Sequence, residues 1–269
     1  MMRVPSRWKE SFTVLLHKGG DQEDISNWRP LSLDNCVAKL YAGILADRLT
    51  EWATLGKRLS PEQKGFVTDE GCLEENFLLQ SVIDDNRRSH KELCVGWLDL
   101  TNAFGSVTYR HIFNTLERMG MSPHITDIIR DLYNGATTRA STQSGLTEPI
   151  HIRTRVKQGC LLSPIIFNLA IEPLLREIRA KRDATCYTLT GGKKLQMMVY
   201  ADDICDTASS PDAQQETVHY RNNLSQVKRL RSVAFASSHR SALPFELIVG
   251  KGERSSTRVL ASKVVAQRC

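Results

Sequence analysis

The chain has 269 residues, of which 41% are hydrophobic and 25% are charged, and its formal net charge is +6. These values are typical of a soluble globular protein and exclude a collagen, a small disulfide scaffold and a wholly disordered chain. The longest apolar stretch, over 165–175, contains polar residues and is too short to span a bilayer. No apolar run follows the basic residues near the N-terminus. We therefore expect an intracellular protein that is neither secreted nor membrane-bound.

The positive charge is concentrated towards the C-terminus. From residue 221 onward there are ten basic and two acidic side chains, whereas the first 220 residues carry a net charge of −2. Basic segments bind nucleic acid by releasing counterions from phosphates, although many are simply solvated. We predict a poorly ordered basic tail over 236–269.

The first half of the chain alternates strand and helix patterns. Pro30 blocks helix formation and favours an extended segment around it. The run over 93–100 is continuously apolar and ends close to a single carboxylate, which is typical of a buried strand. The predicted elements are strands over 11–16, 28–33 and 93–100, and helices over 37–52 and 74–88.

The second half continues in the same way, so the fold class is α+β. Ser122-Pro123 and Ser163-Pro164 each predict the start of a helix, and Gly191-Gly192 predicts a hairpin turn. The predicted helices cover 109–119, 122–135, 163–180 and 212–229, and the predicted strands cover 150–156, 185–190 and 195–199. Beyond Val233 the periodicity fades and predicts no further element.

Three aspartates follow or end apolar segments. Asp99 lies near the end of the run over 93–100, and Asp202 and Asp203 follow the apolar run over 196–201. A single aspartate in such a place is usually a cap or a turn residue. Ionised carboxylates beside a core need compensation by a cation or by hydrogen bonds. Oxygen ligands that converge from two strands favour Mg²⁺ and a phosphoryl-transfer site.

Several motifs in order resemble reverse transcriptases. The segment 200–203, Tyr-Ala-Asp-Asp, resembles their Tyr/Phe-x-Asp-Asp box, the segment 97–104 resembles the strand with the first catalytic aspartate, and 158–164 resembles their Gln-Gly-x-x-x-Ser-Pro segment. Four upstream segments resemble the fingers motifs of non-LTR retrotransposon polymerases: 27–33, 39–40, 48–49 and 59–66. The resemblance covers roughly 10–232.

The resemblance implies the fingers and palm of a right-hand polymerase, with an antiparallel palm sheet packed on helices. The reverse transcriptase domain would occupy 1–235, with fingers mainly over 1–92 and 130–157 and palm over the remainder. Asp99, Asp202 and Asp203, with Leu100, would coordinate two Mg²⁺ ions, which Mn²⁺ can replace. The primer 3′-hydroxyl would then attack the α-phosphate of a dNTP and release pyrophosphate.

The resemblance also implies binding roles for further residues. Those that would hold the dNTP are Lys18, Arg29, Ala103, Phe104, Gln158 and Gly159. Phe104 would exclude a ribonucleotide by lying beneath the sugar. Tyr200 and Ala201 would lie near the primer end. The partners would be an RNA template and a DNA primer held by their backbones, and the protein would act in the nucleus.

The chain departs from the family pattern at several places. Leu161 stands where the family often has Pro, and Gly105 stands where many members have Asp. The segment 233–243 contains no lysine, although the family usually has a lysine motif there. The chain ends before a thumb would begin, so we expect a truncated polymerase domain with weak activity.

Two other classes of protein fit part of the pattern. A decayed element copy would retain the motifs but at most bind nucleic acid. An intron-encoded maturase fits the upstream motifs less well, and an RNA-dependent RNA polymerase is disfavoured by Phe104, because such an enzyme must admit the 2′-hydroxyl.

Overall fold

The computed structural model describes residues 3–67, 71–100, 103–142, 144–154, 156–180, 186–210, 213, 230–237 and 246–249, and for 98–100, 103, 106, 230–237 and 246–249 it describes the backbone alone. The helices and strands in these ranges are, in chain order, β1 (Glu10–His17), β2 (Trp28–Asp34), α1 (Cys36–Leu55), α2 (Gly71–Ser89), β3 (Leu93–Leu100), α3 (Ala103–Ser106), α4 (Tyr109–Arg118), α5 (Pro123–Tyr133), β4 (Thr137–Thr142), β5 (Gly145–Leu146), β6 (Ile150–His151), α6 (Ser163–Ala180), β7 (Tyr187–Thr188), β8 (Lys194–Leu195), β9 (Met197–Tyr200), β10 (Asp203–Ala208), β11 (Leu230–Ser237) and β12 (Glu246–Val249). The α+β class expected from the sequence is confirmed.

The chain forms two compact units. The first comprises Met1–Arg58 and Ala103–Ala170, and the second comprises Leu59–Asn102 and Ile171–Cys269. These boundaries differ from the fingers and palm ranges predicted from the sequence. The assignment of fingers and palm to residue ranges therefore stays a prediction.

The first unit contains a sheet in the order β2-β1-β4-β5, and β6 also pairs with β4. β1 is antiparallel to β2 and parallel to β4. The predicted strands over 11–16 and 28–33 are confirmed as β1 and β2. The prediction for 150–156 was largely wrong, because only Ile150–His151 forms a strand. β4 was not predicted.

The helix α1 begins at a side-chain cap, because Asn35 accepts a hydrogen bond of 2.9 Å from the backbone N–H of Val37. The helix predicted over 37–52 is thus confirmed. Several of its larger apolar residues are exposed, namely Val37, Leu40 and Ile44. The buried residues recur at helical spacing and are mostly small: Ala38, Ala42, Leu45, Leu49 and Ala53.

The second unit contains an antiparallel sheet in the order β12-β11-β3-β10-β9. β3 matches the strand predicted over 93–100. Its consecutive residues over 93–96 are all buried, so both faces of this part of the strand are covered, which explains the continuous apolar run. β7 and β8 form the hairpin predicted around Gly191-Gly192. The strand predicted over 195–199 is divided, because Leu195 pairs in β8 whereas Met197–Tyr200 forms β9 in the larger sheet.

The core of the second unit lies where α2 meets this sheet. Val82 on α2 and Leu93 on β3 have no exposed surface, and Met198 on β9 belongs to the same cluster. Burying one such side chain contributes about 1.5–3 kcal/mol relative to leaving it in water. The strands that carry the candidate site therefore pack on a rigid support.

The C-terminal part of the chain is described in two short ranges. The helix predicted over 212–229 lies, apart from Ala213, outside the described residues. β11 and β12 were not predicted from the sequence, and they extend the sheet of the second unit. In the described part of the chain, every helix is too short or too polar to cross a membrane.

Glu75 is a half-buried carboxyl on α2. Its Oε2 atom is buried and has no hydrogen-bond partner among the described residues. Burial raises the pKa of Glu75 to about 7, although the charge of Lys64 lowers it in part. The folded state therefore favours the neutral carboxyl over a pH range in which the unfolded chain ionises.

We expect Glu75→Gln to stabilise the protein at high pH and to have little effect at low pH. Because the folded pKa lies above the usual value of 4.5, the free energy of unfolding falls as pH rises from 4.5 to about 7 and stays low above it. At pH 8 the free energy of unfolding of Glu75→Gln should exceed that of the wild type by about 1–3 kcal/mol, after allowance for solvent screening. Thermal unfolding at pH 5 and pH 8 measures it. The exposed Glu51→Gln is the control, and equal shifts at both pH values would contradict the assignment.

Candidate active site

The hairpin of β9 and β10 carries two of the three predicted catalytic aspartates. Tyr200 pairs with Asp203, so Ala201 and Asp202 form the turn. Ala201 is buried and has φ +55°, a left-handed conformation that is disfavoured for any residue with a Cβ. Asp202 and Asp203 are half-buried. The hairpin therefore presents two adjacent carboxylates at the end of a buried strand.

The third aspartate lies on the neighbouring strand. In the antiparallel pairing of β10 with β3, Asp203 is directly opposite Asp99. Residues opposite each other in such a pair have Cα atoms about 4.5–5.5 Å apart. On its other side Asp99 pairs with Arg231 of β11. The register thus brings together the backbone positions of all three aspartates that the sequence singled out.

These residues have the chemistry of a divalent-cation site. Neighbouring carboxylates repel one another, and a cation such as Mg²⁺, which prefers oxygen ligands, removes that cost. Among the described side chains no group of three His, Cys, Asp or Glu residues is arranged for a metal ion, and the side chain of Asp99 is outside that set. The donor types fit a metal, and the ligand roles of the aspartates and of Leu100 stay predictions.

A loop braces the aspartate hairpin from the side. The backbone N–H of Lys64 donates to Val199 at 2.7 Å, and that of Val199 donates to Glu62 at 3.1 Å. Gln63 also bonds to the backbone of Ala201 through its side chain. Gln63 lies in the segment 59–66 that resembles a fingers motif, and no role was predicted for it. The feature that marks Gln63 is the burial of its polar side chain, and the sequence alone does not reveal that burial.

Lys18 and Arg29 lie on the hairpin of β1 and β2 in the first unit. Arg29 pairs with Leu16, and the backbone N–H of Lys18 donates to Asn27 at 2.7 Å. Both side chains are exposed. The Nζ atom of Lys18 donates to the carbonyl of Ser26 at 3.4 Å. The structure thus puts both predicted cations on one hairpin.

Gln158 and Gly159 pack against β2. The N–H of Ser32 donates to the carbonyl of Gln158 at 2.7 Å. Gly159 has φ +107°, and a Cβ there would lie 2.5 Å from the carbonyl oxygen of Ser32, so only glycine allows this approach. The Oε1 atom of Gln158 is buried and has no hydrogen-bond partner among the described residues. Buried acceptors usually have a partner, so this oxygen is available to a donor group of a ligand.

A buried ion pair holds the same region. The Nζ atom of Lys157 lies 3.4 Å from a carboxylate oxygen of Asp34, and both side chains are almost fully buried. Loss of one partner would leave a buried charge uncompensated. The pair therefore fixes the segment that leads into Gln158 against the end of β2.

Phe104 lies five residues after Asp99, at the end of the segment 97–104, and belongs to the first unit. Its ring stacks on Phe167 of α6, with centroids 4.9 Å apart and an angle of 22°. Its carbonyl accepts a hydrogen bond of 2.9 Å from the N–H of Val156, two residues before Gln158. Phe104 is half-buried, so it packs as a core residue on one side. The structure describes only the backbone of Ala103.

The predicted residues therefore form two groups. The second unit contains the three aspartates, Tyr200 and Ala201, and Tyr200 is exposed. The first unit contains the predicted dNTP ligands, in which Phe104, Gln158 and Gly159 cluster beside the strand that carries Arg29. The individual roles of these residues stay predictions.

Comparison with known proteins identifies the family pattern. The reverse transcriptase (RNA-dependent DNA polymerase) family matches residues 16–232. The retrovirus-related Pol polyprotein from type-1 retrotransposable element R2 of Popillia japonica is 33% identical over 202 residues, which is 75% of this chain and 28% of the relative. The corresponding polyprotein of Nasonia vitripennis is 29% identical over 80% of this chain and 20% of the relative. The chain thus spans between a fifth and a third of the length of these relatives.

A solved structure shares the fold. Apo telomerase from Candida tropicalis, truncated from its C-terminal domain, superposes with a TM-score of 0.59 over 93% of this chain and 55% of that one, at 11% identity. This likeness supports the polymerase fingers-and-palm fold that the motifs imply.

We expect Gly65→Ala to destabilise the second unit. A Cβ at Gly65 would lie 2.2 Å from the backbone nitrogen of Ala201, so the backbone of the hairpin or of the loop has to move. The expected loss is about 1–3 kcal/mol in the free energy of unfolding, measured by urea titration. Gly191→Ala is the matched control, because no atom lies within 4 Å of its added Cβ. Equal losses in the two variants would show that the close approach is absent.

Proposed function

The chain belongs to the reverse transcriptase (RNA-dependent DNA polymerase) family, and we propose that it carries the RNA-directed DNA polymerase site of a retrotransposable element. The proposed reaction joins a dNTP to a primer 3′-hydroxyl and releases pyrophosphate. The observation that supports it most is the pairing of Asp99 with Asp203, one residue from Asp202. This pairing gathers acidic residues from separate motifs in one sheet.

Reverse transcriptases use divalent metal ions. We assign the ligand set to the carboxylates of Asp99, Asp202 and Asp203 with the backbone carbonyl of Leu100, and two Mg²⁺ ions, or Mn²⁺ in their place, as the metal. Bound there, the ions would lower the pKa of the primer hydroxyl and neutralise charge on the phosphates. The chain itself would contribute a fixed geometry, since the strands that carry the ligands are hydrogen-bonded to each other.

The predicted dNTP ligands would supply the contacts to the nucleotide. Lys18 and Arg29 would attract the triphosphate, and both lie on the hairpin of β1 and β2, where Arg29 pairs with Leu16. Gln158 has a buried acceptor without a partner, and Gly159 keeps the backbone close to β2; both would line the pocket. The backbone at Ala103 would contact the triphosphate. In the second unit, Tyr200 and Ala201 would lie near the primer end.

The remaining partners follow from the family. An RNA template follows from the RNA-dependent DNA polymerase activity of the family, and a DNA primer completes the reaction. A polymerase has to accept any sequence, so we propose that both strands are held through their backbones. Action in the nucleus is proposed on the family resemblance alone.

Replacement of a metal ligand tests this function. We expect Asp202→Asn to lower the rate of single-nucleotide addition to an RNA-templated DNA primer by about 1000-fold, because one carboxylate charge is lost at the site of the developing negative charge. The same change in the exposed Asp47 on α1 should have no effect. The measurement is gel-resolved extension by the full chain in Mg²⁺.

Two results would decide against the proposal. Extension that persists in Asp202→Asn would show that the activity arises elsewhere. No extension by the unmodified chain, together with retained binding of an RNA–DNA duplex, would favour the decayed copy that only binds nucleic acid.

Phe104 offers a test of sugar selection. We expect Phe104→Val to raise ribonucleotide use relative to deoxyribonucleotide use by about 10–100-fold, because a smaller side chain leaves room for a 2′-hydroxyl. Valine keeps part of the packing on Phe167. Competitive addition of rATP and dATP measures the ratio, and the exposed Phe77→Val is the control. An unchanged ratio would leave Phe104 with its packing role alone.

A further inference from the structure

Gln63 is a buried polar residue with an unusual set of partners. It lies in the loop Leu59–Phe66, which we term the brace, and only 3% of it is exposed. Its backbone forms a parallel bridge with Val199 of β9. Its side chain reaches past the end of β9 to the turn that contains Asp202. Buried polar groups need partners, and here all the partners are backbone groups.

The amide of Gln63 completes three hydrogen bonds. Its Oε1 atom accepts from the N–H of Ala201 at 2.8 Å and from the N–H of Gly65 at 2.8 Å. Its Nε2 atom donates to the carbonyl of Ala201 at 3.2 Å. Both backbone groups of Ala201 thus bond to one side-chain amide, which acts on the turn as a neighbouring strand would. A glutamate cannot make the third bond, and a methionine can make none of them.

The turn needs such support because its conformation is unfavourable. Ala201 has φ +55° at the first position of a hairpin turn, where glycine is the residue that adopts a positive φ without strain. Hydrogen bonds from a residue outside the turn stabilise an alanine in this conformation. Because Asp202 is the next residue, any relaxation of Ala201 moves a proposed metal ligand.

The brace is itself fixed at its other end. Ser60 donates two hydrogen bonds of 2.8 Å, from its backbone N–H and its hydroxyl, to the carboxylate of Glu172 on α6. Glu172 is 1% exposed, and Arg176 compensates its charge at 2.8 Å. Glu62 forms an ion pair with Arg179 of the same helix. Gln63 therefore acts from a rigid platform.

We propose that Gln63 is a positioning residue that holds the Ala201–Asp202 turn in the conformation required for metal binding. This inference rests on the proposed function, because it treats Asp202 as a metal ligand. Gln63 itself touches no reacting atom. Its contribution passes through the backbone of Ala201, and it serves to keep the Asp202 carboxylate within the narrow geometry that a metal site demands.

The test compares Gln63→Met with a matched variant, Gln196→Met. Gln196 is similarly buried in the same unit, and its Nε2 atom donates to the carbonyl of Ile178 at 2.7 Å. Each variant loses a buried amide. Circular dichroism is used to choose a temperature at which both variants are folded.

Three measurements then follow on the full chain. They are Mn²⁺ binding followed by electron paramagnetic resonance, hydrogen exchange of peptides that span 199–203, and single-nucleotide addition with KM and kcat separated. Asp202→Asn is included throughout as the reference for loss of a metal ligand.

We expect Gln63→Met to weaken Mn²⁺ binding by about tenfold or more and to lower kcat to a similar degree. The KM for the dNTP should stay within about twofold, because the Gln63 side chain bonds to the backbone of Ala201 and Gly65 and to none of the predicted dNTP ligands. Exchange in the 199–203 peptides should quicken. Gln63→Glu keeps the two accepted bonds and should fall between wild type and Gln63→Met. Gln196→Met should match wild type in all three measurements.

Two outcomes would overturn the inference, and they differ. If Asp202→Asn weakens Mn²⁺ binding but Gln63→Met behaves like Gln196→Met, Gln63 has only a structural role. If Asp202→Asn leaves Mn²⁺ binding unchanged, the proposed metal site is wrong and the positioning role falls with it.

Discussion

The register between β3 and β10 is the constraint on which the rest of the site depends. Side chains alternate between the two faces of a sheet, so a shift of one residue in this pairing would move Asp99 to the opposite face from Asp203. The register is held by six residue pairs, from Asp203 with Asp99 to Ala208 with Cys94. The inner pairs are largely apolar and partly buried against α2, so the hydrophobic core selects the register that gathers the acidic residues.

The site also shows how carboxylates are tolerated beside a core. Several close acidic groups oppose folding until a cation is present. The hairpin is stabilised by contacts that do not involve these acidic groups. They are the backbone hydrogen bonds between the brace and Val199 and the buried contact of Ser60 with Glu172. These neutral or internally compensated contacts keep the hairpin in place without using the carboxylates themselves. The acidic groups thus stay available for a ligand.

Much of this fold was predictable, and the failures have physical causes. The strand over 93–100 was found because a strand buried on both sides is continuously apolar. β4 was missed because its sequence, Thr-Thr-Arg-Ala-Ser-Thr, is polar and its residues are only partly buried. The helix α1 was found from its apolar spacing, but it buries three alanines with Leu45 and Leu49 and exposes several of its larger apolar residues. The aspartates were found through motifs, whereas Gln63 was missed because its partners are backbone groups distant in sequence.

Part of the basic C-terminal region pairs with the strand that carries Asp99. The excess of positive charge begins at residue 221, and the sequence predicted a poorly ordered tail over 236–269. β11, however, pairs with β3 over eight residues, from Leu230 to Ser237, and β12 pairs with β11. At least these parts of the basic region belong to the sheet that carries Asp99. Arg231 lies opposite Asp99 in this register, so one of the basic residues is a backbone neighbour of the acidic site. Net charge therefore did not indicate the position of the site, because that position depends on strand pairing. The poorly ordered tail over 236–269 stays a prediction.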